Sequence, residues 1–342
     1  MRVESEESRT DLSIFASASV SLEQIRRPIE RELDQFDAVF RRALKSKIGL
    51  VDIVTRYIIR QKGKRVRPML VLLSAKACGP VSDRSFRGAG LVELLHTATL
   101  VHDDVVDDAD TRRGFASINA VWKNKVAVLL GDYLLSRGLL LALEQHDVDF
   151  LNLTSIAVKR MSEGELLQIQ KTRQLDLTEE TYLQIIGDKT ASLFATCTEI
   201  GAASATDSAS LHQALRSYGE NLGLAFQIRD DLLDYLGKKS IIGKPTGIDI
   251  KEKKLTLPLI HALRNGSRKD ARQALRTIKD GAKEKQIEWV MKFVKEEGGI
   301  EYASERALTF AALARTNIEL LPPSSSKESL LGFIRFVTER EK

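Results

Sequence analysis

Proline is scarce in this sequence, and its absence from a long stretch argues against an all-β architecture. The 342 residues include seven prolines, and none lies between Val81 and Gly243. A sheet protein of this length needs many turns, and turns recruit proline. Helices exclude proline from their interior because it removes a backbone donor and clashes with the preceding turn. The sequence therefore predicts an all-α fold.

Cysteine, aromatic residues and an excess of one charge are also lacking. Cys78 and Cys197 are far apart and form no C-x-x-C pair, so neither a disulfide framework nor a zinc site is expected. Reduced thiols are typical of a cytoplasmic protein, which is the location we predict. Lys and Arg number 52 against 47 Asp and Glu, and aromatic residues make up 6%. This near-balance without a recognisable motif argues against nucleic-acid binding.

Long apolar runs are missing as well. None approaches the roughly 18 residues that a membrane-spanning helix requires, so we expect no such helix. The N-terminus has no apolar core of the kind found in signal peptides, and it carries Glu4, Glu6 and Glu7. We expect residues 1–20 to be a disordered tail. No later change in composition marks a boundary, so residues 21–342 are predicted to form one domain.

Apolar residues recur at helical spacing through most of the chain. The pattern predicts helices over residues 25–40, 50–61, 86–108, 122–145, 151–171, 177–201, 207–236 and 330–341. Helix also resumes at about Leu255. The segment Lys62–Pro68 and the segment from Pro322 to Ser326 are predicted to be loops.

Two copies of the pattern D-D-x-x-D carry the strongest chemical signal. They begin at Asp103 and at Asp230, both inside predicted helices. Residues four apart lie one turn apart on a helix face, so Asp103 faces the same way as Asp107, and Asp230 the same way as Asp234. Neighbouring carboxylates repel each other unless a cation compensates them. Magnesium is commonly shared between carboxylates and substrate phosphates, so the pattern indicates a site for metal-bound diphosphate.

Simpler interpretations explain one motif better than two. A single copy would more often be a solvated acidic helix face. Two copies on separate helices, each flanked by Leu or Val, fit that interpretation poorly. An EF-hand is excluded because the loop glycine and the closing Glu are missing. His96 and Gln227 each stand seven residues before an aspartate, Asp103 and Asp234, and so share its helix face.

Basic segments accompany both acidic motifs. One is Lys62–Pro68 (KGKRVRP), a second is Arg112 with Arg113, and a third extends from Gly243 to Lys254. One arginine side chain can donate two parallel hydrogen bonds to a phosphate, whereas lysine acts as a point charge. Each segment alone would more often be a solvated loop. Their recurrence beside the aspartates indicates a diphosphate held by both metal and cations.

These segments resemble the trans-isoprenyl (polyprenyl) diphosphate synthase family. The likeness extends from about Pro28 to the C-terminus and rests on six segments: Lys62–Pro68, Glu93–Gly114, Leu129–Leu135, Gly187–Phe194, Phe226–Asp234 and Gly243–Ile260. The resemblance implies a single bundle of long helices around a central cavity, usually in a homodimer. It also implies a prenyltransferase that condenses isopentenyl diphosphate with an allylic diphosphate such as farnesyl or geranylgeranyl diphosphate.

The resemblance further implies roles for individual residues. Three magnesium ions would be bound by Asp103, Asp107 and Asp230, with Asp104, Asp231 and Asp234 in support. The allylic diphosphate would be held by Arg112, Lys189, Thr190, Gln227, Lys244 and Lys254. Isopentenyl diphosphate would be held by Lys64, Arg67, His96 and Arg113. The implied catalytic set is Asp103, Asp107, Asp230, Lys189 and Arg112. Lys62 and Lys253 depart from the family pattern, which usually has glycine at both positions.

The implied reaction needs no side-chain base. Metal and cations stabilise the charge on the departing diphosphate. The double bond of isopentenyl diphosphate attacks the resulting allylic cation, and a proton is lost to the released diphosphate.

Product length depends on what lies deeper than Asp103. Ala98 and Thr99 lie about 6 to 7.5 Å below it along the helix, and Leu95 lies beyond them. Short-chain members of the family often carry an aromatic residue there, whereas both side chains here are small. We predict a long, octaprenyl-like product, with the cavity floor on the helix over residues 126–143. Such a product is poorly soluble, so peripheral membrane contact would assist its release.

Four alternatives stay open at this point. A short-chain synthase would share all the motifs. A class I terpene cyclase usually replaces the second motif and lacks the KGKRVRP-like loop. A non-catalytic partner subunit tends to lose one aspartate motif, and both are intact here. A helical nucleic-acid-binding protein would place its basic residues along one helix face, whereas here they lie beside aspartates.

Overall fold

The computed structural model describes residues 20–60, 63–112, 114–236 and 247–339, and these are mostly helical. The helices in chain order are α1 (Leu22–Arg26), α2 (Glu30–Ala43), α3 (Gly49–Arg60), α4 (Val66–Cys78), α5 (Asp83–Val106), α6 (Ile118–Leu143), α7 (Val148–Gln174), α8 (Glu179–Ile186), α9 (Ser192–Ala203), α10 (Ala209–Leu236), α11 (Ile248–Lys251), α12 (Leu257–Asn265), α13 (Arg268–Lys279), α14 (Glu284–Glu296), α15 (Gly299–Asn317) and α16 (Ser325–Glu339). A 3₁₀ turn (Arg27–Ile29) joins α1 to α2, and a π-helical turn (Gly187–Ala191) joins α8 to α9. Within the described ranges, strand is confined to the antiparallel pair β1 (Thr111–Arg112) and β2 (Phe115–Ala116). The predicted all-α fold is confirmed.

Three of the prolines lie at helix starts, where the missing N–H costs nothing. Pro28 lies in the 3₁₀ turn, and Pro258 lies in the first turn of α12. Pro68 is in the first turn of α4, which begins at Val66. The loop predicted over Lys62–Pro68 is therefore too long, because its last three residues already belong to a helix.

Three other sequence predictions differ in detail. The final helix begins at Ser325 rather than near residue 330, so Ser325 and Ser326 are helical. The helix predicted over residues 177–201 is two helices separated by the π turn. The N-terminal tail predicted over residues 1–20 lies outside the described residues except for Val20.

Helix α5 is the central element of the larger hydrophobic cluster. Leu91, Leu94, Leu95 and Ala98 along it are almost fully buried. It packs against α6 on one side and against α4 and α9 on others. A second cluster is built from α8, α10 and the helices α11 to α15. Helix α10 contributes buried residues to both clusters, Leu215 to Ala225 to the larger one and Ile228 to Tyr235 to the second.

Helix α6 contradicts the expectation that no segment is apolar enough to span a membrane. By length and composition, Ile118–Leu143 passes that test, and 33% of its apolar window is buried inside the protein. The sequence analysis missed this helix because charged residues such as Lys125 and Asp132 divide the segment into short apolar runs. Gly131 and Gly138 let α6 approach α5 closely, since a Cβ at Gly138 would contact Leu94 at 3.4 Å.

Candidate active site

The first aspartate motif lies at the C-terminal end of α5. Asp103 and Asp107 are exposed, whereas Asp104 is buried. Asp104 accepts a hydrogen bond of 2.5 Å from Nε of Arg112, and this pair ties the β hairpin to the helix. Loss of hydration raises the pKa of Asp103, and the nearby positive charge of Lys189 opposes the shift. Asp103 and Asp107 are thus the two carboxylates of this motif that face solvent.

The second motif lies near the C-terminal end of α10. Asp230 is exposed, and Asp231 is 7% exposed. Asp231 accepts hydrogen bonds from the Tyr182 hydroxyl at 2.7 Å and from Nε2 of Gln227 at 2.8 Å. Burial, with Asp249 as a second cause, raises the pKa of Asp231 to about 7. Asp234 accepts hydrogen bonds from the backbone of α11.

Asp234 holds the short helix α11 against α10. Its two carboxylate oxygens accept from the backbone N–H groups of Ile248 and Asp249, each at 3.1 Å. Asp249 therefore joins the acidic group, although the sequence analysis did not single it out. Burial and the neighbouring Asp234 raise the pKa of Asp249 to about 6. The signal that could have found it is its place in the segment GKPTGID, within the same basic stretch that includes Lys254.

Lys189 and Thr190 lie in the π turn between α8 and α9. Nζ of Lys189 pairs with Glu165 and donates to Gln168 at 3.5 Å, both on α7. Thr190 donates to Oε1 of Gln227 at 2.9 Å. A chain of hydrogen bonds thus joins the π turn through Gln227 to the buried carboxylate of the second motif.

These residues line a cavity of about 210 Å³, which we call the main cavity. Its polar lining consists of Gln168, Lys171, Thr172, Tyr182, Lys189, Thr190, Gln227, Asp230, Asp231, Asp249, Lys254 and Thr256. Lys254 donates to Glu252 at 2.6 Å. Burial lowers the pKa of Lys254, but Glu252, Asp249 and Asp107 raise it more. The charge of Asp107 raises the pKa of Lys254, and the charge of Lys189 lowers the pKa of Asp103. The carboxylates of the first motif therefore interact electrostatically with the lysines that line this cavity.

A second, smaller cavity of about 60 Å³ lies beside α5. We call it the side cavity. His96, Glu93, Asp104 and Arg112 line it, together with Gly63 of the loop before α4. His96 is 8% exposed. The sequence analysis placed His96 on the same stripe as Asp103, whereas the structure places the two residues toward different spaces.

The cations in the loop before α4 and in its first turn point in different directions. Lys64 is exposed, with Nζ 5.8 Å from the ring centroid of Phe336. The Arg67 guanidinium lies 5.8 Å from the ring centroid of Phe194. Arg65 instead points into the protein, toward Asp37 and Glu93. Two of the predicted ligands, Arg113 and Lys244, lie outside the described residues, as does Lys62.

Arg65 anchors this loop. It adopts the left-handed conformation with φ of 54°, and it pairs with Asp37 at 3.0 Å and Glu93 at 3.4 Å. Its guanidinium also lies over the rings of Phe36 and Phe40. These contacts hold the end of the loop from both sides and leave Lys64 directed outward.

The candidates for setting product length lie on two faces of α5. Ala98 is 2% exposed and lies four residues after Leu94, on the face that packs against α6. Thr99 lies four residues before Asp103 and follows the stripe of the motif. Leu95, 1% exposed, lies about 12 Å below Asp103 along the helix axis. Their role in product length stays a prediction.

The carboxylates of the two motifs fit a magnesium ion that also takes oxygen ligands from the substrate. Among the described residues, no group of three His, Cys, Asp or Glu side chains is close enough to hold a metal ion alone. Magnesium usually takes one or two carboxylates, and substrate phosphates and water complete its octahedron. The exposed carboxylates of Asp103, Asp107 and Asp230 match that requirement. Asp104, Asp231 and Asp234 are already hydrogen-bonded within the protein, so ligation by them stays a prediction.

Comparison with known proteins gives a consistent result. The family model described as polyprenyl synthetase matches residues 49–294. An all-trans-nonaprenyl-diphosphate synthase (geranyl-diphosphate specific) of Rhodobacter capsulatus is 38% identical, over 92% of this chain and 96% of that protein. An octaprenyl diphosphate synthase of Escherichia coli is 34% identical, over 94% of this chain and all of that protein, 100%.

A solved structure agrees. The crystal structure of a decaprenyl diphosphate synthase from Rhodobacter capsulatus superposes with a TM-score of 0.89 and 35% identity, covering 94% of this chain and 100% of that one. The agreement in fold is therefore consistent with the match to the family model. This chain belongs to the polyprenyl synthetase family.

Proposed function

We propose that this protein is a trans-prenyltransferase that extends an allylic diphosphate with isopentenyl diphosphate and makes a long-chain polyprenyl diphosphate. The observation that carries the proposal is the pair of cavities, one beside α5 and the other lined by the π turn and the second aspartate motif. The main cavity is lined by Lys189, Thr190, Gln227 and Lys254, which the sequence assigned to the allylic diphosphate. The side cavity is lined by His96, which the sequence assigned to isopentenyl diphosphate.

In the main cavity, the cations act on the departing diphosphate. The ammonium groups of Lys189 and Lys254 would neutralise the charge that grows on its oxygens as the allylic carbon–oxygen bond breaks. The Thr190 hydroxyl, which donates to Gln227 in this structure, would turn to donate to the same oxygens when the diphosphate binds. Because the charge appears on phosphate oxygens, fixed donors stabilise the transition state more than the ground state.

In the side cavity, isopentenyl diphosphate would be oriented for attack. His96 lines this cavity and would donate to its phosphates, with Lys64 and Arg67 as the further cations that would bind them. Its double bond then attacks the allylic cation, and the proton on the neighbouring carbon leaves to the released diphosphate. Arg112 borders this cavity through its pair with Asp104, so it could serve either substrate.

Magnesium is the proposed cofactor. Asp103, Asp107 and Asp230 would hold it, about three ions as in the family, and when bound it supplies positive charge beside the departing diphosphate. The protein's part is to keep these three carboxylates facing solvent while their neighbours in each motif are fixed by the fold.

A long product is proposed because the residues below Asp103 are small or aliphatic. The named relatives make octaprenyl, nonaprenyl and decaprenyl chains, according to their descriptions. Thr99 continues the Asp103 stripe, and Ala98 leaves room on the side of α6. Peripheral membrane contact at the release step remains part of this proposal.

A homodimer is proposed from the outer face of α6. This face exposes several large apolar side chains, namely Val121, Val128, Leu129, Leu139, Leu140 and Leu143. Apolar surface of this extent on one helix marks an interaction face. Asp132 lies on the same helix with 62% of its side chain exposed, and a carboxylate at that depth argues against immersion in lipid. A second copy of this chain is therefore the proposed occupant.

A cytoplasmic location is proposed on the thiol chemistry. Burial raises the pKa of Cys78 to about 11 and that of Cys197 to about 12, so both stay protonated and inert at neutral pH.

The decisive experiment measures turnover and product length together. Purified protein is incubated with magnesium, isopentenyl diphosphate and farnesyl diphosphate, and diphosphate release and the chain length of the products are measured. We expect magnesium-dependent release and products longer than geranylgeranyl diphosphate. Absence of turnover would contradict the proposed function, and a short end point would identify a short-chain synthase instead.

Two variants refine this experiment. Ala98→Phe should shorten the products without abolishing turnover, because it adds bulk below the motif. Leu129→Glu on α6 should convert the dimer to a monomer in light scattering. Leu320→Glu is its matched control, since Leu320 is equally exposed at a site away from α6. A monomeric unmodified protein would contradict the dimer.

A further inference from the structure

The π turn between α8 and α9 places two proposed ligands side by side. In this turn the N–H of Ser192 donates to the carbonyl of Gly187, five residues back. Such turns are rare, because one extra residue is accommodated in the helix, and they recur at functional sites. Lys189 and Thr190 occupy the turn, and both line the main cavity.

Arg160 of α7 binds the outside of this turn. Its Nε donates to Oδ1 of Asp188 at 2.7 Å, and its Nη2 donates to the carbonyl of Gly187 at 3.4 Å. The same Nη2 donates to Oε1 of Glu220 on α10 at 2.9 Å. One guanidinium therefore joins α7, the π turn and α10. We call Arg160, Asp188 and Glu220 the clamp.

The clamp lies outside the main cavity. Its three residues line a separate cavity of about 380 Å³ together with Gly187 and Leu224. Asp188 is directed to that outer space, whereas the next residue, Lys189, is directed to the main cavity. Arg160 therefore acts at the rear of the turn and has no access to the proposed allylic diphosphate.

Two glycines show how closely the neighbouring helices hold the turn. A Cβ at Gly164 of α7 would lie 2.9 Å from Cβ of Asp188 and 3.1 Å from the backbone nitrogen of Lys189. A Cβ at Gly223 of α10 would lie 2.5 Å from Cα of Ala191. The π turn thus packs directly against the backbones of α7 and α10, and the clamp joins both helices to it by polar contacts.

We propose that Arg160 is a positioning residue that keeps the π turn in register and so directs Lys189 and Thr190 at the allylic diphosphate. Relaxation of the turn to α-helical geometry would rotate these side chains by about 100° per residue lost. The hydrogen bond from Thr190 to Gln227 would then be broken, and Lys189 would leave the cavity. This inference rests on the proposed function of the main cavity.

The test compares Arg160→Met and Asp188→Asn with a matched control. Arg84→Met removes a similar arginine, which pairs with Asp147 at 3.0 Å and Asp149 at 2.6 Å at the opposite end of α5. Steady-state kinetics with each substrate varied, and thermal unfolding of each variant, are measured. Arg160→Lys tests whether the charge alone suffices.

We expect Arg160→Met to lower kcat roughly 10- to 100-fold and to raise KM for the allylic diphosphate about tenfold, with KM for isopentenyl diphosphate nearly unchanged. Asp188→Asn should show the same selectivity, and Arg160→Lys should recover part of the loss. Arg84→Met should lower the unfolding temperature and leave both KM values unchanged.

Equal changes in both KM values, or kinetics of Arg160→Met that match those of Arg84→Met, would overturn the inference while the proposed function stands. A failure of the proposed function is recognised separately, because the unmodified protein would then show no turnover.

Discussion

The two aspartate motifs have the same letters but use them differently. In the first motif the fold engages one carboxylate, Asp104, through Arg112. In the second, Asp231 is engaged by Tyr182 and Gln227, and Asp234 by the backbone of α11. The first aspartate of each motif, Asp103 and Asp230, is exposed in both.

Helix length explains the difference. Helix α5 ends at Val106, so Asp107 follows the last turn and faces solvent. Helix α10 continues to Leu236, so Asp234 is still helical and meets the N-terminus of α11. The comparison teaches that a repeated motif fixes which carboxylates can bind a ligand, while the surrounding helices decide which of them are available.

The largest expected effect comes from the exposed carboxylates that the motifs share. Asp103→Asn and Asp230→Asn should each lower kcat by about 100-fold or more, because each removes a carboxylate that would hold magnesium beside the departing diphosphate. Unfolding temperatures should stay nearly unchanged. Steady-state rates with saturating magnesium test this expectation.

Asp108→Asn is the matched control for these two variants. Asp108 adjoins the first motif, is exposed, and has φ of 47°, which asparagine tolerates. Its activity should equal that of the unmodified protein. A comparable loss there would mean that general negative charge, rather than the motif, is required.

The next effect concerns stability and separates the two buried carboxylates. Asp231→Ala leaves the Tyr182 hydroxyl and the Gln227 amide without their acceptor, which should cost about 2 to 3 kcal/mol of unfolding free energy. Asp104→Ala leaves only Arg112, which can reach solvent at the side cavity, and should cost less. Denaturant unfolding gives both values, and a larger loss for Asp104→Ala would reverse the comparison.

A smaller effect is expected at Asp234. Asp234→Ala removes the acceptor for two backbone N–H groups of α11 and should cost about 1 kcal/mol, the typical size of a helix-capping contact. Because α11 leads to Lys254, KM for the allylic diphosphate should rise severalfold. An unchanged KM would show that α11 is held by other contacts.

The smallest effect is a pH dependence. The pKa of Asp231 is about 7 in the folded protein and near 3.8 when unfolded, and that of Asp249 is raised to about 6. A raised pKa stabilises the folded state at low pH, and this contribution is lost as pH rises through the folded value. The stability advantage of the metal-free protein over Asp231→Asn should therefore fall from pH 5 to pH 8.

Thermal unfolding of both proteins in chelator measures that difference, which should amount to a few degrees. Added magnesium should reduce the loss at pH 8, since a bound cation favours ionised carboxylates. An advantage that grows with pH would contradict the raised pKa.

The fold was largely predictable because its signals are local. Helical spacing and the absence of proline gave α3, α5, α6, α7 and α10 to within a few residues. For α12 to α15 they gave only that helix resumes at about Leu255. The errors lie where contacts from other helices decide, as at Val66–Pro68, where the chain becomes helical early. The apolar character of α6 was underestimated because Lys125 and Asp132 interrupt its sequence, although its exposed face is continuous in space.

The site was predictable in composition but less so in arrangement. The sequence alone determined that two pairs of carboxylates face one way, because the helical period places residues four apart on one face. It also determined that cations accompany them. Only the tertiary structure decided that Arg65 turns inward, that Asp249 joins the acidic group, and that Arg160 holds the π turn. The physical reason is that these contacts join residues far apart in the chain, such as Tyr182 and Asp231, and no local periodicity encodes them.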